Sequence, residues 1–320
     1  MKLKRIFKNE EQGPSYFVVD WMLHDRCTYD CSYCPPANKK GTDSWLKLET
    51  VTEFCEELEK HVQRVAPNNR IHCLFTGGEP TVWKDFTKLI DILSARGWYL
   101  SVNSNGSRTE RWWEENAHKF SSITLSYHTE SVVDEEFIKK VKICESKTKT
   151  SVNVMLHPNQ IWFNKAVRMG EYLKENTKDA GVHFFQIQHE FGLQKINISQ
   201  YSTEQLNLIP TLENRSPIKS KDIIHDNYYV ENDEGQSKKC NGLEIINAGL
   251  ANFKNWSCHA GLDGVFIDAK GDVLRGTCRA NGKFGNILEP KNIQWPTAPV
   301  TCPYTWCGCI TDILNTKEAP

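Results

Sequence analysis

Between residues 16 and 210 the sequence switches repeatedly from a short apolar run to a longer amphipathic stretch, and this alternation limits the fold more than any other feature. Residues 16–23 read as a buried strand. Residues 48–65 read as a helix with Val51, Phe54, Cys55, Leu58 and Val62 on one stripe, stopped by Pro67. The same reading gives strands at 71–75, 98–102, 123–125, 152–156 and 182–188, and helices at 86–95, 108–118, 134–144 and 165–175. A sixth, weaker helix lies near 203–209. Strand-then-helix units imply parallel strands joined by right-handed crossovers. Six units are too few for a closed eight-stranded barrel, so the expected class is α/β, as an open partial barrel or a doubly wound sheet. Either way, ligands gather at the carboxyl ends of the strands, and polar residues there are read for function first.

Composition narrows the chemistry. With 39 basic and 40 acidic side chains the formal charge is −1, which argues against a broad nucleic-acid footprint. No stretch has the roughly 18 apolar residues of a membrane span. The basic first nine residues run into Glu10 and Glu11 without an apolar core, so no secretory signal is read and the cytosol is the expected compartment. The 320 residues contain twelve cysteines. A core of this size needs no disulfide staples, which leaves metal or cluster ligation, redox chemistry or burial as their uses.

Three of them, Cys27, Cys31 and Cys34, form C-x3-C-x2-C directly after the first strand. A loop this tight can bring three thiolates to one cluster and leave one iron open, where four cysteines would saturate it. A zinc site with a fourth ligand such as His24 is the alternative. After the second strand comes Thr76-Gly77-Gly78-Glu79-Pro80, in which two glycines allow close backbone approach to a ligand and a carboxylate can bind an ammonium group. Taken together, and with the aromatic Tyr33 before Cys34, these motifs make residues 16–210 resemble the radical S-adenosylmethionine (radical SAM) superfamily.

That resemblance implies a partial (β/α)6 TIM-like barrel in which Cys27, Cys31 and Cys34 ligate a [4Fe–4S] cluster. The open iron would chelate S-adenosylmethionine, whose reductive cleavage gives a 5′-deoxyadenosyl radical that abstracts a substrate hydrogen. Gly77, Gly78 and Glu79 would bind the methionine ammonium, and an external electron donor of flavodoxin or ferredoxin type would supply the electron. Asn103 and Ser104 in the Asn103-Ser104-Asn105-Gly106 turn resemble the family's polar turn, and Ser126 is a candidate for the ribose or carboxylate. Tyr33 completes the expected cofactor-binding set. His128 and His157, at the ends of strands four and five, are the candidates for substrate-side proton transfer, since imidazole titrates near neutral pH. Gln186, Gln188 and His189 end strand six.

Past residue 210 the texture changes. Residues 211–257 read as a polar insertion or linker, and 261–277 as a hairpin turning at Ala-Lys-Gly-Asp. Cys258 and Cys278 bracket that hairpin, and Cys302, Cys307 and Cys309 return in CPYTWCGC. Two thiolates from the hairpin and two from the returning loop can make a four-thiolate site. The arrangement resembles the superfamily's auxiliary-cluster domains, the short twitch form more than the full SPASM form, and implies one auxiliary [4Fe–4S] cluster. It departs from the SPASM C-x2-C-x5-C-x3-C run, and its terminal spacing is x4 then x1. A structural zinc is the alternative, Cys240 is a spare, and Cys55, Cys73 and Cys144 are small core residues. The expected organisation is an extension at 1–15, a radical SAM barrel at 16–210, the insertion at 211–257 and a twitch-like domain at 258–320.

The function expected from all this is a radical SAM oxidoreductase that oxidises or rearranges a small polar metabolite such as a sugar, nucleotide or biosynthetic intermediate. A peptide-modifying maturase of the same superfamily is the second reading; only 26 residues precede Cys27, short for a peptide-recognition domain. A non-catalytic zinc or iron–sulfur binding module is the third.

Overall fold

In the computed structural model, which describes residues 3–9, 11, 15–187, 190–191, 194–195, 200–214 and 228–320, the apolar runs become strands and the amphipathic stretches helices. After β1 (Leu3–Lys8) the chain alternates β2 (Tyr16–Met22), α1 (Leu48–Val65), β3 (Arg70–Thr76), α2 (Phe86–Ala95), β4 (Tyr99–Ser104) and α3 (Glu110–Asn116). It continues with β5 (Ser122–Tyr127), α4 (Asp134–Lys147), β6 (Lys149–Leu156), α5 (Gln160–Asn176), β7 (Gly181–Gln186) and α6 (Thr203–Asn214). A small ribbon, β8 (Glu190–Phe191) with β9 (Gln194–Lys195), precedes α6.

Local chemistry accounts for the boundaries. The stripe of α1 is buried as its spacing predicts. Asn159 starts α5 earlier than apolar periodicity suggests, because its side chain accepts from the backbone N–H groups of Ile161 and Trp162. Helix α6 runs through Pro210 rather than ending before it.

Strands β2 to β7 pair in parallel and in chain order. Val19, Trp21, Phe75, Val102, Leu125, Val154 and Phe184 point to the helices and join them in one apolar core. The opposite face mixes apolar residues such as Leu74, Met155 and Phe185 with polar ones, Asn103 on β4, Thr124 and Ser126 on β5, and Asn153 on β6, matched across the registers Asn103↔Thr124 and Ser126↔Asn153. The four polar residues are only half-buried. The sheet is open, with β7 at one edge.

Its other edge is made by the carboxy-terminal part of the chain. β10 (Tyr228–Asn232), β11 (Ser237–Lys239), α7 (Gly242–Asn247) and β12 (Ser257–Cys258) lead to β13 (Gly264–Ile267), β14 (Asp272–Leu274) and β15 (Lys283–Asn286). β13 adds to β2 as a further parallel strand, with β14 and β15 antiparallel beyond it. Then come β16 (Val300–Thr301), α8 (Ile310–Ile313) and β17 (Lys317–Glu318). A second sheet, in the order β11-β10-β1-β17-β12-β16, is antiparallel throughout. The segments 1–15, 211–257 and 258–320 therefore share one sheet, with a small core of its own around Ile6, Tyr228, Ile245, Phe253 and Ile313. Among the described residues no helix is long and apolar enough to cross a membrane.

Candidate functional site

The loop after β2 carries Cys27, Cys31 and Cys34 across the carboxyl ends of the parallel strands. Cys31 is buried and its two companions are half-buried. The loop is tied to itself by Cys27 N–H to Lys39 O (3.3 Å) and by Lys39 Nζ, which donates to Cys31 O (2.6 Å) and pairs with Asp30 (2.7 Å). Burial first, then the charges of Cys31 and Cys27, push the Cys34 thiol up to about 11. Burial also pushes Cys31 up to about 11, and Cys27 in the same direction. Three soft sulfurs on one loop, withdrawn from water, are a donor set that a cationic iron cluster suits. His24 is fully buried, and its Nδ1 accepts the Arg26 N–H at 3.2 Å. Among the described residues no three His, Cys, Asp or Glu side chains converge tightly enough for a single ion. A cubane places its thiolates on different irons and asks for wider spacing.

The Gly77-Gly78-Glu79 turn at the end of β3 lies directly against this loop. Gly78 N–H donates to His24 O and Glu79 N–H to Arg26 O, both at 2.8 Å. A Cβ on Gly77, whose φ is +124°, would sit 2.4 Å from His24 O, and one on Gly78 would sit 2.1 Å from Arg26 O. The two glycines thus let the turn approach the protein's own cysteine loop. The Glu79 carboxylate is fully buried, with Oε1 accepting from Thr81 N–H (3.2 Å), Thr81 Oγ1 (2.6 Å) and Ser104 Oγ (2.8 Å). Its Oε2 accepts the Asn105 N–H at 2.6 Å. Asn105 carries the chain of contacts onward, since its Nδ2 reaches Cys27 Sγ (3.5 Å) and Thr28 Oγ1 (3.2 Å). Glu79 and Ser104 thereby fasten the ends of β3 and β4 to the cysteine loop, while Asn103 and Ser126 lie on the open face.

Across the mouth, Glu130 grips the same loop from the turn after β5. Its carboxylate accepts Ser32 N–H at 2.8 Å and Ser32 Oγ at 2.7 Å, and lies 3.3 Å from His157 Nε2. His157 Nδ1 accepts the Asn159 N–H (2.9 Å), which leaves Nε2 as the protonated nitrogen facing Ser32 Oγ (3.2 Å) and Glu130. Tyr33 is buried, its hydroxyl hydrogen-bonded to His128 Nδ1 and its ring stacked on that imidazole at 6.0 Å. Desolvation pushes His128 down to about 4, so it is neutral at physiological pH. The structure therefore brings Tyr33, His128 and His157 together behind the cysteine loop. Glu130 is the contact that sequence reasoning passed over, and Asn105 was read only as part of the polar turn, although both sit just beyond strand ends, where a polar residue is a signal. Gln186 ends β7; Gln188 and His189 lie outside the described residues.

The carboxy-terminal cysteines form a second group. Antiparallel pairing of β12 with β16 sets Cys258 opposite Val300, and Cys302 N–H donates to Trp256 O at 2.8 Å. Burial, then Asp312, push Cys278 up to about 11, with smaller contributions from Cys258 and Cys302. Burial drives Cys307 up strongly, and Asp312, Cys278 and Cys258 add to it. Burial takes Cys309 up to about 12, and Asp312 and Asp20 of β2 add to it. Cys240 packs in the second core among Ile6, Tyr228 and Phe253.

Comparison with known proteins bears on the first group. A radical SAM superfamily model matches residues 21–160, from β2 to the first residue of α5. Fe-coproporphyrin III synthase of Methanosarcina barkeri is 31% identical over 110 residues, 34% of this chain and 25% of that protein. GTP 3′,8-cyclase of Actinobacillus pleuropneumoniae is 24% identical over 204 residues, 55% of this chain and 58% of its own length. The chain thus matches from a quarter to under three-fifths of these relatives. Among solved structures, anSMEcpe with bound AdoMet superposes with TM-score 0.53 at 19% identity, covering 86% of this chain and 76% of that one. Streptococcus suis SuiB bound to precursor peptide SuiA gives 0.54 at 16% identity, covering 90% and 66%. At these identities the likeness is one of fold.

Proposed function

We propose, from the premise that this chain carries a radical SAM domain at residues 21–160, that it is an enzyme which takes a hydrogen from a small polar metabolite and oxidises or rearranges it. Cys27, Cys31 and Cys34 would hold the [4Fe–4S] cluster, and the Gly77–Gly78 backbone, Asn103 and Ser126 would contact S-adenosylmethionine. Bound there, cluster and cofactor supply reductive cleavage of the sulfonium and a 5′-deoxyadenosyl radical. The rest is positioning by this chain's own side chains. Glu79, Ser104 and Asn105 fix the glycine turn against the cysteine loop, and Glu130, His157 and His128 hold that loop from the opposite side through its Ser32 and Tyr33. In this reading the two histidines orient the loop before any proton-transfer role, because each already has a partner at Nδ1.

The observation that carries the substrate class is the open face of the sheet. Thr124 and Asn153, beside the Asn103 and Ser126 assigned to the cofactor, offer further neutral donors and acceptors, a lining suited to a hydroxyl-rich molecule. Cys258, Cys278, Cys302 and Cys307 would hold an auxiliary [4Fe–4S] cluster, with Cys309 left to face Asp20. The anaerobically reconstituted, reduced protein should release 5′-deoxyadenosine, and Cys31→Ala should abolish this; undiminished release from the variant would refute the assignment. Deuterium should pass into 5′-deoxyadenosine from a labelled sugar or nucleotide. Transfer from peptides alone would replace the small-molecule reading with a peptide-modifying one.

A further inference from the structure

Beside the carboxy-terminal thiols lies a buried ammonium that the proposed function leaves unused. Lys317 is 1% exposed, and its Nζ donates to the backbone carbonyls of Asp312 (2.5 Å), Ile313 (2.9 Å) and Asn315 (3.2 Å). The ammonium also lies 5.2 Å from the centre of the Phe253 ring. These partners are neutral dipoles. Among the described residues no carboxylate comes within ion-pair distance of it: Glu318 pairs with Arg5 at 3.2 Å, and Asp312, within electrostatic reach of the ammonium, accepts from Thr277 Oγ1 at 2.5 Å. Removing an ammonium from water costs several kcal/mol, and carbonyl dipoles offset only part of that. Thiols that could share this charge are close by. In the antiparallel register Lys317 stands opposite Cys258, and Cys307 is within its electrostatic reach.

We propose that Lys317 is the counter-cation of the carboxy-terminal cluster and sets how readily that cluster takes an electron; this rests on the four-thiolate site proposed above. Four thiolates outweigh the charge of a cubane core, so the loaded site is an anion. A fixed positive charge beside it favours the reduced form and raises its potential.

The test is a redox titration, followed by electron paramagnetic resonance, of the full reconstituted chain as wild type, Lys317→Met and Lys317→Arg. Wild type should hold about eight irons; about four would overturn the four-thiolate site and this inference together. With both clusters present, Lys317→Met should lower the reduced-to-oxidised ratio of the carboxy-terminal cluster about tenfold at fixed poise, a shift of about 59 mV for a one-electron couple. The signal from the Cys27–Cys34 cluster should stay in place, and Lys317→Arg should restore the ratio. An unmoved ratio in Lys317→Met at full iron content would overturn the inference and leave the site intact. If Lys317→Met instead sheds the carboxy-terminal iron, retention by Lys317→Arg supports the charge. Loss from both variants would show that side-chain shape is what matters and overturn the inference.

Discussion

Cys27, Cys31 and Cys34 lie within eight residues on one loop, whereas Cys258, Cys278, Cys302 and Cys307 are spread over fifty. The first set is held by side chains reaching from neighbouring strand ends, Asn105 to Cys27 and Glu130 to Ser32, and within the loop by Lys39 to the Cys31 carbonyl. The second is held by backbone pairing among strands of two or three residues and by a sheet whose middle includes β1, from the start of the chain. A local site depends on the polar network around it. An assembled site depends on distant segments that must fold before the thiols can meet. The two should therefore fail separately, and each of the following changes tests that separation.

The largest expected effect is at long range. Ile6 is fully buried in the second core, so Ile6→Ala should cost about 2–5 kcal/mol. Iron should be lost first from the carboxy-terminal site, although Ile6 is more than 250 residues from Cys258. Equal loss from both sites, in an iron assay after partial denaturation, would break the comparison.

Glu130→Gln acts on the local site. It removes the charge that Ser32 and His157 face, at a cost of about 1.5–3 kcal/mol in urea unfolding, and should hasten loss of the first cluster in air. Unchanged cluster lifetime would show that the loop does not need its grip.

Asp20 lies where the two regions meet, on the open face of β2 near Thr311 and Asp312. Burial, then Asp312, raise its carboxyl to about 7. A carboxyl raised above its unfolded value favours the folded state at low pH, and that contribution is lost as pH rises from about 4 to 7. Asp20→Asn should thus stabilise the protein by about 1–2 kcal/mol above pH 7 and flatten its stability profile across that window. A profile with its slope intact would place the titration elsewhere.

Much of the first region was legible in the sequence. Helix α1 matches its apolar stripe, the six parallel strands follow their runs, and the cysteine and glycine motifs fall at strand ends as the α/β pattern requires. Three things were not legible. Periodicity cannot see strands as short as Ser257–Cys258, Val300–Thr301 and Lys317–Glu318, which need partners from elsewhere in the chain. A residue's place at a strand end also does not say which way its side chain turns. His128 and His157 read as substrate-facing, yet they turn to Tyr33 and Ser32, while Glu79 turns into the protein to meet Thr81, Ser104 and Asn105. Finally, the spacing of Cys302, Cys307 and Cys309 could not rank them; in the fold Cys307 feels Cys278 and Cys258, while the charges that act most on Cys309 are Asp312 and Asp20.

The separation of two clusters is tested most directly by counting iron in three proteins reconstituted under the same anaerobic conditions. Wild type should bind about eight irons, a Cys27→Ala, Cys31→Ala, Cys34→Ala variant about four, and a Cys258→Ala, Cys278→Ala, Cys302→Ala, Cys307→Ala variant about four. A wild-type count of about four that falls to zero in the first variant and is unchanged in the second would contradict the account.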